Sequence, residues 1–185
     1  MQVTDEIYEV NMVGQHGYLM AGRREPVREL WVRSAMLLHV GNLYDYFAAD
    51  DDAAAAATLE HSPDPGRFDV LDVRGVEPAV QLATLESLLR GIDYEQVKAD
   101  PRRCALISDP RSEDRWVVTV TDTLRDALAD ANAEQLAQTA IAWSATEEFR
   151  GQGDADLLAD FLDRFATLAR TARNRGRRLY CWMSL

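Results

Sequence analysis

The chain has 185 residues, of which 47% are hydrophobic and 28% charged, a composition typical of one globular domain and not of a disordered segment. Its formal net charge is −11. An acidic surface disfavours general binding to nucleic acid and to anionic membranes, because both present negative charge. The same surface suits a basic protein partner, although acidity also serves solubility alone.

No charged-then-apolar leader is recognisable, and no apolar run approaches the ~18 residues of a membrane-spanning helix. The only cysteines, Cys104 and Cys181, lack any paired-ligand spacing. We therefore expect a cytoplasmic protein with two reduced thiols, the alternative being a disulfide between two predicted strands. No phosphate loop, zinc-ligand spacing or nucleophile motif is present, so no cofactor and no metal are expected.

The first part of the chain is the least regular. Residues 1–35 show turns and charge without sustained periodicity, which predicts an N-terminal extension of little order. Residues 36–40 then predict the first core strand of a domain spanning residues 36–185. A turn at Gly41 and Asn42 leads to an aromatic-rich extended segment ending at Phe47.

The middle of the chain alternates between helical and extended patterns. Asp50 to Asp52 predict the start of an alanine helix that ends near Glu60, with a metal site at the three acids as the alternative. Pro78 predicts the start of a second helix, which Gly91 ends. The side chains predicted to form its buried face are Val80, Leu82, Leu85, Leu88 and Leu89.

Further on, residues 104–108 and 116–120 predict a β-hairpin. Thr121 or Asp122 is expected to cap the next helix, and a further helix is expected from Glu134 to Ala140 after Asn132.

The last stretch has the clearest pattern. Asp154 predicts the N-cap of a long amphipathic helix, and Gly176 predicts its left-handed C-terminal stop. Residues 179–183 have too little polarity for exposure and predict a strand inside a sheet. The apolar stripe of the helix comprises Leu157, Leu158, Phe161, Leu162, Phe165, Leu168, Ala169 and Ala172. The whole pattern predicts an α+β fold with a single mixed or antiparallel sheet covered by several helices.

Trp143, Glu147 and Glu148 are the most suggestive candidate site. A loop with aromatics beside two carboxylates can line a cleft, in which one carboxylate with a raised pKa acts as general acid. In the simpler interpretation Thr146 or Ser144 caps a helical turn, and Trp143 packs in the core.

Two further sets of residues carry weaker signals. Arg173, Arg175, Arg177 and Arg178 either bind an anionic ligand or neutralise the carbonyl end of the long helix. His39 is either a catalytic residue or a hydrogen-bonded core histidine.

Segments of this sequence resemble the YfbM-like family of uncharacterised bacterial proteins. The likeness lies in residues 119–124, which pass from strand to helix, and in the long helix followed by residues 174–176 and 179–182. Residues 82–91 and 36–47 match two more of the family's elements, whereas residues 81–85 lack its lysine–tryptophan pair. The resemblance covers residues 36–185, implies a compact α+β domain and transfers no catalytic residue.

Taken together, the patterns predict a non-catalytic domain that binds another protein, with a basic protein as the favoured partner. The alternative is a small hydrolase or ligand-binding enzyme with a cleft at Trp143, Glu147 and Glu148.

Overall fold

The computed structural model describes residues 43–185, with only the backbone of Arg74. The predicted extension at residues 1–35, the predicted strand at residues 36–40 and His39 lie outside this range. Within it, the chain forms a four-stranded sheet with six α-helices, which confirms the predicted α+β class. The strands are Leu43–Ala49 (β1), Asp69–Arg74 (β2), Arg115–Thr119 (β3) and Arg178–Ser184 (β4). The helices are Asp52–Ala56 (α1), Gln81–Arg90 (α2), Tyr94–Lys98 (α3), Asp122–Asp130 (α4), Ala133–Ser144 (α5) and Ala155–Asn174 (α6), with a 3₁₀ turn at Glu147–Phe149.

The C-terminal strand β4 lies in the interior of the sheet. The strand order is β2-β1-β4-β3 and every pairing is antiparallel, so β4 has a hydrogen-bonded neighbour on each side. Cys181 lies opposite Tyr46 on β1 and Val118 on β3. Because both faces of β4 are covered, its side chains do not alternate between apolar and polar. The prediction of an interior strand at residues 179–183 is confirmed.

Helix α6 begins and ends as its sequence predicts. The Asp154 carboxylate accepts hydrogen bonds from the backbone N–H groups of Asp156 and Leu157, at 3.0 and 3.1 Å. At the other end Gly176 has a φ of 67°, and the Arg177 N–H returns to the Ala172 carbonyl at 2.8 Å. These bonds satisfy backbone groups that have no partner within the helix.

The predicted apolar stripe of α6 is correct except at one position. Leu157 is 69% exposed, whereas its neighbour Leu158 is 6% exposed. Adjacent helical residues point about 100° apart, and the core-facing direction passes through Leu158. The other predicted stripe residues are buried: Phe161, Leu162, Phe165, Leu168, Ala169 and Ala172.

The two faces of the sheet are covered unequally. One face, which includes Tyr46, Val118 and Cys181, packs against α2, α4, α5 and α6 in the main core. The other face, which includes Phe47 and Tyr180, packs against α1 and neighbouring loops in a smaller cluster. The second, smaller core makes β1 and β4 buried on both sides.

Three predicted boundaries need correction. Helix α1 ends at Ala56, before the predicted end near Glu60, and the chain continues in turns. Helix α2 begins at Gln81 and not at Pro78, because the Glu77 carboxylate accepts hydrogen bonds from the N–H groups of residues 79–81. In the predicted hairpin, residues 104–108 make only one β-bridge, from Leu106 to Val118.

Of the two caps predicted for α4, the structure has Thr121, and the helix predicted after Asn132 begins with Asn132 itself as its cap. The Thr121 hydroxyl accepts the Leu124 N–H at 3.1 Å at the start of α4, and the Asn132 side chain accepts the Gln135 N–H at 2.9 Å at the start of α5. Capping of this kind is decided by nearby residues, which is why a sequence pattern detects it.

Candidate functional site

The four arginines predicted to bind an anion each pair with a carboxylate of the same chain. They lie at the end of α6 and the start of β4, and their partners come from three other parts of the domain. The shortest N···O distances are 2.6 Å for Arg173–Asp130, 2.6 Å for Arg175–Asp69, 2.8 Å for Arg177–Asp50 and 3.5 Å for Arg178–Asp122. Their guanidinium groups thus join α6 and β4 to α4, to β2 and to the segment after β1, and they do not form one cationic pocket.

The same end of the sheet contains a network around Asp52. The Tyr180 hydroxyl donates to this carboxylate at 2.8 Å, and Arg102 pairs with it at 3.1 Å. The hydrogen bond from Arg102 lowers the pKa of Asp52 below its usual value. Asp52 is therefore held as an anion by its own chain, which gives the acids at residues 50–52 an explanation without a metal. No cluster of three or more histidine, cysteine or acidic side chains among residues 43–185 has the arrangement of a metal site.

Trp143 does not line a cleft. Its side chain is 0% exposed, and its ring lies 5.3 Å from that of Phe149 and 6.0 Å from that of Phe161, between centroids. The indole therefore anchors the connection between α5 and α6 in the core, as aromatic side chains commonly do. The predicted ligand-binding role for Trp143 conflicts with this burial.

Glu147 and Glu148 lie in the 3₁₀ turn and differ in environment. Glu147 is exposed, whereas a Glu148 carboxylate oxygen accepts a hydrogen bond from the Thr84 hydroxyl at 2.5 Å. Partial burial of Glu148 favours a raised pKa, but the hydrogen bonds from Thr84 and Thr146 outweigh it and lower the pKa. A general acid requires the opposite shift, so the geometry favours a structural role that ties the turn to α2.

Two buried carboxylates are functional candidates that the sequence patterns missed. Glu86 on α2 is 1% exposed. It accepts hydrogen bonds from the hydroxyls of Thr121 and Thr123 at 2.5 and 2.6 Å, and it pairs with Arg90 at 2.5 Å. A signal existed, since position 86 lies four residues after Leu82 and therefore on the same helical face.

Asp45 is the second buried carboxylate, at 8% exposure on β1. Ser62 donates a hydrogen bond to it, and Asp72 lies directly opposite on β2. Burial raises the pKa of Asp45, and repulsion from Asp72 adds to this effect, while the bond from Ser62 opposes it. The signal in the sequence was a charged residue inside an aromatic strand.

The two cysteines are free thiols. Burial raises the pKa of Cys104 to about 12 and raises the pKa of Cys181 well above its usual value. Both groups are therefore protonated near neutral pH, and neither is an activated nucleophile.

An open concavity lies on the surface between α2 and α3. It has a volume of about 550 Å³. Its lining residues are Ser87, Leu88, Gly91, Ile92, Asp93 and Gln96. Leu88 was predicted to be buried but is 38% exposed here, because Leu82, Leu85 and Leu89 define the core-facing direction of α2.

No protein-family model matches the sequence, and no curated protein or solved structure shows significant similarity to it. In the part of the chain that the structure describes, no helix combines the length and the apolar character needed to cross a bilayer.

Proposed function

We propose that this chain is a non-catalytic domain that binds a basic protein through its acidic surface. The observation that supports the proposal best is the internal pairing of the arginines. The dense positive region at residues 173–178 is neutralised by carboxylates of the same chain. The net charge of −11 is therefore presented to partners without a competing cationic patch in that region.

Exposed acids along α6 add to this support. Asp156, Asp160 and Asp163 lie on its outer face, away from the core. Asp160 has one weak partner in Arg164, at 3.7 Å. An acidic helix face of this kind accelerates encounters with a basic partner and disfavours acidic competitors.

The proposal extends to family and location. The long helix, its glycine stop and the interior terminal strand support membership of the YfbM-like family of bacterial proteins, and the two free thiols support a cytoplasmic location. Superposition on an experimental structure of a family member tests the family assignment, because a different strand order in that structure would exclude membership.

Carbodiimide cross-linking offers a direct test of partner binding. This reagent joins carboxylates to lysine amines, and Lys98 is the only lysine of this chain. The variant Lys98→Arg leaves the N-terminal amine as the only primary amine of the chain, so every link to a lysine side chain identifies another protein. We expect a reproducible basic partner whose affinity, measured with both proteins purified, falls as salt concentration rises.

Two results would count against the proposal. One is the absence of any reproducible cross-linked partner across a range of salt concentrations. The other is a partner that is acidic or whose affinity is independent of salt.

A further inference from the structure

We infer that the groove between α2 and α3 is the site that receives an arginine or lysine side chain of the basic partner. This inference rests on the proposed function and specifies which surface performs it. The groove is a concave feature of about 550 Å³, in contrast to the convex outer face of α6. An open depression of this kind can receive one long side chain of a partner while its charged end stays near solvent.

The floor of the groove is apolar and preformed. Leu88 is 38% exposed and Ile92 is half-buried, so both present carbon surface to the groove. The turn between them is held by two hydrogen bonds: the Ile92 N–H donates to the Ser87 carbonyl at 3.1 Å, and the Ser87 hydroxyl donates to the Ile92 carbonyl at 2.5 Å. Gly91 permits this turn because its φ is 63°. A partner therefore meets a shape that needs no reordering.

The charge at the groove is negative. The C-terminal end of α2, where backbone carbonyls point outward, carries the negative end of the helix dipole. Asp93 is exposed at the start of α3, and its side chain makes no capping hydrogen bond. The two bases nearest in sequence are engaged elsewhere, since Arg90 pairs with Glu86 and Lys98 with Glu95.

An apolar floor beside a negative rim matches one kind of side chain. Arginine and lysine carry an alkyl stem that packs on carbon surface and a cationic head that seeks an anion. The stem would lie on Leu88 and Ile92, and the head would meet Asp93 and the carbonyl end of α2. A purely apolar side chain leaves Asp93 unused, and an acidic one is repelled.

Titration of the ¹⁵N-labelled protein with a short peptide tests the inference. The probe is the acetylated, amidated tetrapeptide Leu-Arg-Arg-Leu, and the matched control is Leu-Glu-Glu-Leu. We expect saturable amide shifts concentrated in residues 87–96 with the arginine peptide and none with the glutamate peptide. Asp93→Asn and Leu88→Ala should each weaken binding about threefold or more, whereas Glu113→Gln in the exposed loop before β3 should leave it unchanged.

Other outcomes overturn the inference. Shifts that spread along α6 and persist in Asp93→Asn would mean that the acidic helix face, and not the groove, attracts the cation. Equal binding of both peptides would remove the role of charge, and the absence of any saturable shift would exclude the groove as a cation site. If a cross-linked partner binds Asp93→Asn and Leu88→Ala as tightly as wild type, the groove is excluded while the proposed function stands.

Discussion

Replacing Glu86 by glutamine should destabilise the domain strongly, although the side chain barely changes shape. The Glu86 carboxylate is 1% exposed and accepts two hydroxyl hydrogen bonds and one from Arg90. Glutamine offers only one acceptor oxygen and no charge. Because the Thr121 hydroxyl also caps α4, the loss of its hydrogen bond to residue 86 should also weaken the start of that helix.

The expected cost follows from the bonds that disappear. One hydrogen bond to a charged acceptor is lost and the pair with Arg90 is weakened, which together cost about 2–3 kcal/mol. For a domain of this size that corresponds to a fall in Tm of about 5–10 °C. Urea denaturation followed by far-UV circular dichroism measures the free energy of unfolding directly.

Glu95→Gln supplies the matched control, because its carboxylate is 77% exposed and its pair with Lys98 lies at the surface. Its effect should stay within about 0.5 kcal/mol. The double variant with Thr123→Ala should lose less than the sum of its parts, since the loss of charge in Glu86→Gln already weakens the hydrogen bond from Thr123 that Thr123→Ala removes. A Glu86→Gln free energy within about 0.5 kcal/mol of wild type would refute the reasoning, as would strict additivity with Thr123→Ala.

Four further predictions follow from local geometry. Gly153→Ala places a methyl group 2.9 Å from the Ser144 Cα and carbonyl oxygen, so it should lower the free energy of unfolding by about 1–3 kcal/mol; a neutral result in urea denaturation would contradict the tight packing. Trp143→Ala should lower the free energy of unfolding by about 3–5 kcal/mol. Trp143→Phe should lower it less, because phenylalanine keeps an aromatic ring in the core and removes a buried indole N–H that has no hydrogen-bond partner. Equal losses for the two variants in the same assay would contradict this prediction. Burial raises the pKa of the Cys104 thiol to about 12. This thiol should therefore react with Ellman's reagent at pH ~8 far more slowly in the native protein than in urea. Equal reaction rates would show that the thiol is accessible and ionised in the native protein. The pKa of Asp45 is raised in the folded state, so the contribution of this group to stability is present below its unfolded pKa and is lost as pH rises through the folded pKa. Asp45→Asn should therefore reduce the fall in the free energy of unfolding between pH ~4 and ~7. An unchanged dependence of that free energy on pH would refute the raised pKa.

The positions of Glu86 and Leu88 show where sequence patterns reach their limit. Both lie on α2, and periodicity alone favoured burial of the leucine. The structure buries the glutamate because Thr121, Thr123 and Arg90 satisfy it, and it leaves Leu88 beside the groove. Whether a polar side chain can be buried depends on partners from distant segments, which periodicity does not detect.

The arginines at the end of α6 show the same limit for the candidate site. The sequence predicted that these arginines lie near a helix C-terminus, where the helix dipole favours positive charge. Their partners were not, because Arg175 and Arg177 pair with Asp69 and Asp50, which are 106 and 127 residues away. These pairs exist only once β1, β2 and β4 lie side by side.

By itself the sequence determined the local architecture: the α+β class, the caps at Asp154 and Thr121, the glycine stop of α6 and the apolar terminal strand. Those features depend on hydrogen bonds and side-chain spacing within a few residues, so neighbouring residues in the sequence are enough to predict them. Only the tertiary structure decided the strand order, the burial of Glu86 and Asp45, the neutralisation of the arginines and the groove beside Leu88. Each of those features needs contacts between segments that are distant in the chain, and such contacts form only when the sheet and its helices pack together.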